Sequence, residues 1–148
     1  MTKKILLPTD GSKQAERAGE YAISLADISG AEIIVLNVID VHYLDALPQE
    51  DLRKKLEKEL RADGKRAVEY FKDNLEESQC NGICKNVTFK TLIKKGNPSD
   101  VILKTIDDEN IDQVVIGKSG KHGLERLILG RTTDRVVRKA KIPVNVIA

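Results

Sequence analysis

The chain has 148 residues, 41% of them hydrophobic and 32% charged, with a formal net charge of +2. That size suits one domain, residues 1–148, with a core of its own, and the composition is that of an ordinary globular protein. Only 3% of residues are aromatic and none is Trp, which excludes a platform for stacking single-stranded nucleic acid and leaves Ile, Leu, Val and Ala to build the core.

From the N-terminus, Met1-Thr-Lys-Lys leads into Lys3 to Pro8, a short buried strand. No secretory core is present and no apolar run could span a bilayer, so a cytoplasmic protein with no membrane partner is expected. Pro8-Thr-Asp-Gly-Ser12 has the composition of a turn ending in a helix N-cap, with Ser12 the cap. Ala15, Ala18, Ala22, Leu25 and Ala26 then recur at helical spacing until Gly30 stops the helix. Glu32 to Ile39 is a second strand, a continuous apolar run broken only by Asn37. Such runs mark parallel strands covered on both faces. Asp40 to Pro48 reads as a connecting loop. Gln49 to Glu77 is a long charged helix with an apolar stripe from Leu52 to Leu75 and a weak point at Gly64.

Cys80 and Cys84 follow in a Cys-x-x-x-Cys segment, with His42 and His122 the only histidines. That is too few ligands for structural zinc and the wrong spacing for a redox pair, so they are expected to be plain loop thiols. Asn86 to Ile93 is a third strand, with Val87, Phe89, Thr91 and Ile93 on one face. After the turn Gly96-Asn-Pro-Ser99, a helix turns Val101, Ile102 and Ile106 inward and ends at Asp107 to Asn110. Gln113 to Ile116 is a fourth, central strand. A helical pattern over Asp134 to Ala140 places Val136, Val137 and Ala140 on one face, with Gly130 interrupting it from Leu124, Leu127 and Ile128. Pro143 to Ile147 is a fifth strand.

The alternation predicts an α/β fold, an open, mostly parallel five-stranded sheet with right-handed crossovers and helices on both faces. Between the fourth strand and the last helix lies Gly117 to Thr133, rich in glycine, lysine and hydroxyl residues. From Gly117 to Lys141 there are eight Lys or Arg against two Asp or Glu, a local charge of +6. Glycines bring main-chain N–H groups close to phosphate oxygens, and a helix N-terminus adds partial positive charge. The other reading is an ordinary strand-to-helix turn followed by a solvated basic helix face. In open α/β sheets ligands sit beyond the carboxyl ends of the strands, where strand order reverses. With the Rossmann-like order 3-2-1-4-5, Pro8-Thr-Asp10 and Gly117 flank one crevice.

Gly117-x-x-Gly120, followed after nine residues by Gly130, resembles the spacing that marks ATP-binding members of the universal stress protein family. The resemblance covers the whole chain. Ile5-Leu-Leu-Pro-Thr-Asp-Gly-Ser12, Asn37-Val-Ile-Asp40, Gly96-Asn-Pro98 and Ile142-Pro-Val-Asn-Val-Ile147 are similar to the family's first strand and turn, second strand end, helix-leading turn and last strand. It implies an adenine nucleotide, with Mg²⁺ or Mn²⁺ carried on its phosphates rather than on protein side chains. It implies Pro8, Thr9 and Val38 around adenine and ribose, Asp10 on the ribose hydroxyls, and Gly117 against the ribose and α-phosphate. Gly120 and the N–H groups of Lys118, Ser119, Lys121, His122 and Gly123 would wrap the outer phosphates, and Gly130 closes the motif. Lys121 and His122 are added on charge alone.

One position departs: Arg131 stands where the family has Ser or Thr. Its guanidinium could pair with a terminal phosphate, block a triphosphate, or turn to solvent, and Thr132 or Thr133 could supply the missing hydroxyl or cap the last helix. The resemblance further implies a homodimer through Pro143 to Ile147 and a downstream partner protein. The function expected is a nucleotide-dependent stress-response module. A dimeric scaffold without nucleotide, or a weak ATPase, is the alternative. No nucleophile–His–carboxylate set, His-x-Gly-His or Ser-Gly-Gly-x-Asp-Ser segment is present to support a stronger enzymatic reading.

Overall fold

Strands and helices alternate along the chain: β1 (Lys4–Pro8), α1 (Lys13–Ser29), β2 (Glu32–Asp40), α2 (Val41–Asp45), α3 (Glu50–Cys80), β3 (Phe89–Gly96), α4 (Pro98–Asp108), β4 (Gln113–Gly117), α5 (Arg131–Lys139) and β5 (Val144–Ile147). These elements come from a computed structural model that describes residues 2–80, 82, 86–119 and 129–148. All strand pairs are parallel and the order is β3-β2-β1-β4-β5, as the sequence predicts.

The caps are local chemistry. The Ser12 hydroxyl accepts from the Ala15 N–H at 3.2 Å, and Gly30 ends α1 in the left-handed region at φ 74°. Asn97 Oδ1 accepts from the Asp100 N–H at 3.2 Å, with Pro98 beginning α4 where a helix needs no N–H.

Side chains on a strand alternate between faces, so the buried sheet divides into two cores. Ile5, Leu7, Ile33, Val35 and Val115 pack with Ala18, Ala22 and Ala26 of α1 and Val68, Phe71 and Leu75 of α3. Leu6, Ile34, Leu36, Val114 and Ile116 pack on the other face with Ile102 and Ile106 of α4 and Val136 of α5. The Phe71 and Phe89 rings meet edge to face at 5.7 Å. At the amino end of the sheet, the Asp112 carboxylate accepts from the N–H groups of Lys3 and Lys4 at 2.7 and 2.9 Å, fastening β1 to the start of β4.

Five expectations are corrected. The connection after β2 holds a helical turn, α2, because Asp40 caps it through the His42 N–H and Leu44 buries against the body. β3 runs three residues later than Asn86 to Ile93. Pairing with the long β2, from Ile33↔Phe89 to Asp40↔Gly96, holds Lys94 and Lys95 in the strand. Their ammonium groups reach helices on opposite faces, Lys94 to Thr105 and Lys95 to Glu57. Thr91 is exposed, whereas Leu92 packs toward α4. Helix α5 starts at Arg131 rather than Asp134, and its inward residues are Thr133, Val136 and Ala140. Val137 lies 41% exposed, since one residue along a helix is a turn of about 100° away from the buried line. Leu124, Leu127, Ile128 and Cys84, with the side chain of Cys80, lie outside the described residues.

Candidate functional site

The sheet opens at one place. β1 pairs with β2 along its full length, from Lys4↔Glu32 to Pro8↔Leu36, and the Thr9 N–H continues the ladder to the Leu36 carbonyl at 2.8 Å. β4 follows β5 to Gly117↔Ile147, and the Lys118 N–H continues to the Ile147 carbonyl at 2.8 Å. Between β1 and β4 the pairing covers only Ile5↔Gln113 and Leu6↔Val114. Successive N–H groups point to opposite sides of a strand, so the nitrogen of Pro8 faces β4, where proline has no hydrogen to offer. The two central strands therefore part at their carboxyl ends, between crossovers that leave in opposite directions. That is the topological switch point.

Two segments flank this crevice. On the β1 side, Asp10 Oδ1 accepts from the Ser12 N–H at 2.9 Å and Thr9 Oγ1 from the Gly11 N–H at 3.2 Å, with Gly11 in the left-handed region at φ 79°. On the β4 side, the Thr133 hydroxyl donates to the Gly117 carbonyl at 2.8 Å and the Gly130 N–H to the Lys118 carbonyl at 2.9 Å. These bonds cinch the neck of the segment between Gly117 and Gly130. Both glycines sit where a side chain would be tightly packed. A Cβ at Gly117 would stand 3.0 Å from backbone and side-chain carbons of Gln14, and one at Gly130 would stand 3.2 Å from Ser119 Cα. Gly117 thus lies against the first turn of α1, which brings the β4 end beside the Asp10 turn.

The electrostatics follow from the topology. In a parallel sheet each helix begins at the carboxyl end of a strand, so the N-termini of α1 and α5 both open toward the crevice and present partial positive charge. α1 has the Ser12 cap; Gly130 gives α5 no side-chain cap. Lys118 and the exposed Arg131 add cations. Opposite them stands the Asp10 carboxylate. A carboxylate facing helix N-termini suits a ligand with hydroxyls at one end and an anion at the other.

The sequence-predicted residues distribute accordingly. Pro8, Thr9 and Asp10 line the β1 side, and Gly117, Lys118, Ser119, Gly130, Arg131, Thr132 and Thr133 form the β4 side. Val38 belongs to β2, on the sheet face covered by α4 and α5. The Thr133 hydroxyl proton is spent on Gly117, so that side chain serves the neck. Gly120, Lys121, His122 and Gly123 lie outside the described residues. Among the described residues, no group of three or more His, Cys, Asp or Glu could hold a metal ion.

Sequence reasoning missed Tyr43. β2 overshoots the end of β1 by four residues before turning into α2, which carries Tyr43. Burial, and after it the charges of Asp40 and Asp10, raise the Tyr43 phenol above its ordinary value. A tyrosine beyond a strand's carboxyl end, in a chain this poor in aromatics, was the available signal. A separate cavity of about 20 Å³ between α1 and α3, lined by Thr9, Gly11, Phe71 and Tyr70, has room for about one water and no more.

The domain is a doubly wound α/β domain whose central strands part at the switch point, the place where folds of this class hold ligands. The model of the universal stress protein family matches residues 1–148, and the chain belongs to that family. It is 33% identical over 145 residues to a universal stress protein of Methanocaldococcus jannaschii, MJ0531, covering 98% of this chain and 81% of that one. The solved structure of MJ0577 from the same organism superposes with a TM-score of 0.83 at 32% identity, covering 99% of this chain and 96% of that one. A family protein from Arabidopsis thaliana solved with AMP bound has a TM-score of 0.66 at 21% identity, covering 98% of this chain and 90% of that one. Among the described residues, no helix is long and apolar enough to cross a membrane.

Proposed function

We propose that this chain binds an adenine nucleotide, ATP in the first instance, in the crevice between β1 and β4, and works as a nucleotide-dependent stress-response module. The observation that carries the reading is the early end of β1–β4 pairing, with a carboxylate on one wall and two helix N-termini at the mouth. Family membership and the AMP-bound relative support adenine as the base.

In this reading Asp10 accepts from the ribose hydroxyls, while Pro8, Thr9 and main-chain groups of Val38 surround the ribose and base. Gly117, with no side chain of its own, lets the sugar and α-phosphate approach its main chain. The N–H groups of Lys118 to Gly123 and of Gly130 to Thr133 take the outer phosphates, with Mg²⁺ or Mn²⁺ held by phosphate oxygens. Arg131, exposed at the first turn of α5, supplies a guanidinium to a terminal phosphate in place of a hydroxyl. Nucleotide then biases the segment between Gly117 and Thr133 toward a conformation that a downstream protein reads. The β5 edge, half-buried and with no charged side chain, is the surface for a homodimer.

Calorimetric titration with Mg·ATP and Mg·AMP tests the reading, together with mass spectrometry of any nucleotide carried through purification. Asp10→Ala and Gly120→Val should each abolish or greatly weaken binding. Parent-like affinity in both would remove the site. Sedimentation showing a monomer would remove the dimer.

A further inference from the structure

Two residues look misplaced in the sequence: Asn37, polar inside an apolar strand, and Gly64, a glycine inside a long helix. The structure puts them together. Asn37 is 7% exposed and lies on the sheet face that α3 covers. Its Nδ2 donates to the Thr9 carbonyl at 2.9 Å. Only the nitrogen of the amide can face a carbonyl, which turns Oδ1 toward α3. There, a Cβ on Gly64 would lie 2.3 Å from Oδ1 and 2.9 Å from Cγ. Gly64 is buried and its φ is negative, so the backbone does not demand glycine; the space for Asn37 does. One turn further along α3, Ala67 Cβ stands 3.4 Å from where a Cβ on Gly11 would be.

Thr9 is consequently held at every polar atom. Its N–H goes to Leu36, its carbonyl to Asn37 and its hydroxyl to the Gly11 N–H. Asp10 is the next residue. We infer that Asn37 and Gly64 are a positioning pair, by which α3 buttresses the Thr9–Gly11 turn from behind and fixes the direction of the Asp10 carboxylate in the crevice. The fold can form without this contact, since a valine or isoleucine would continue the strand and an alanine would favour the helix. What the pair adds is a defined turn.

Three variants test this: Asn37→Ala, Gly64→Ala and the two combined. The readouts are amide exchange at Gly11 and Ser12 in ligand-free protein, the thermal midpoint, and Kd for Mg·ATP. The Kd readout rests on the nucleotide reading above; the exchange readout does not. Asn37→Ala should speed exchange at both amides on the order of tenfold and raise Kd about fivefold to tenfold. Gly64→Ala should do the same and lower the midpoint, because its Cβ displaces Asn37. In the double variant Oδ1 and Cγ are gone and the Cβ of residue 37 stands 3.6 Å away, an ordinary contact, so the midpoint should recover from that of Gly64→Ala. Exchange should stay fast and Kd weak. If all three readouts recover together, the pair is only structural and the inference is overturned. Parent-like exchange in Asn37→Ala overturns it as well. A parent protein that binds no Mg·ATP would end the nucleotide reading, while exchange alone would still decide this one.

Discussion

Thr133→Val puts the neck of the β4–α5 segment under direct test. Thr133 is 4% exposed, and its hydroxyl donates to the Gly117 carbonyl at 2.8 Å. Valine keeps the branched shape and removes only the donor. With the site buried, water has no ready way to replace it. A net hydrogen bond of about 1 kcal/mol disappears, and a carbonyl losing its buried partner can raise the cost to about 3 kcal/mol. The extra methyl recovers a fraction of this, so we expect about 1–2 kcal/mol. For a chain of this length that is roughly a 3–8 °C fall in midpoint. Urea unfolding gives the free energy, with an unchanged slope confirming that only stability moved. Thr133→Ser is the control: it keeps the donor and should lose about 0.8 kcal/mol for the methyl group. A Val variant within about 0.3 kcal/mol of the parent, or a Ser variant worse than the Val, would refute the reasoning.

Three further outcomes are expected. Gly117→Ala drives a Cβ against Gln14 at the start of α1 and should cost about 1–3 kcal/mol; calorimetric unfolding at parent-like temperature would contradict the close approach. Val136→Ala, at 0% exposure, should cost about 2–3 kcal/mol, while Val137→Ala, 41% exposed, should stay within about 0.5 kcal/mol; equal losses in a denaturant series would mean that α5 is rotated. The N–H groups of Lys3 and then Lys4 hold the Asp112 carboxylate below its usual range. A depressed folded value contributes stability that is fully present above the unfolded carboxylate range and is lost as pH falls from there through the lower folded value. Asp112→Asn should therefore be less stable than the parent at pH 7, and the gap should close below about pH 4. Urea midpoints from pH 7 to pH 2.5 check this, and a constant gap would count against it.

Most of the architecture could be read from local pattern. Continuous apolar runs marked the buried parallel strands, and Ser12, Gly30, Asn97 and Pro98 stand at helix ends because their side chains or backbones meet needs that arise within four residues. Alternation and crossover handedness leave more than one doubly wound order open, and the order 3-2-1-4-5 expected with the family resemblance is the one the sheet has. The site was legible in part. Asp10 and Gly117 fell at strand ends that the order makes neighbours, and the glycine spacing named the family. The helical turn that carries Tyr43 was not legible, because a short helical turn after a strand carries too little periodicity to show, and the only signal was a tyrosine beyond a strand end. Nor was the exposure of Val137, because Val136 and Val137 have the same composition and only the approach of α5 to the sheet chooses between them. The limits of β3 depended on the length of β2, a partner distant in sequence.

The amino-acid sequence by itself determined the alternation of strands and helices, the parallel sheet, and the place of a glycine-rich, basic segment after β4. These depend on side-chain periodicity, backbone freedom and charge, all of which act over a few residues. Only the tertiary structure decided that β1 and β4 part after Leu6 and Val114, and that Asn37 reaches back to Thr9. It also decided that Gly64 is small for the sake of a residue on another element. Those outcomes come from surfaces meeting across long stretches of chain, where close packing admits one arrangement and local preference has no say.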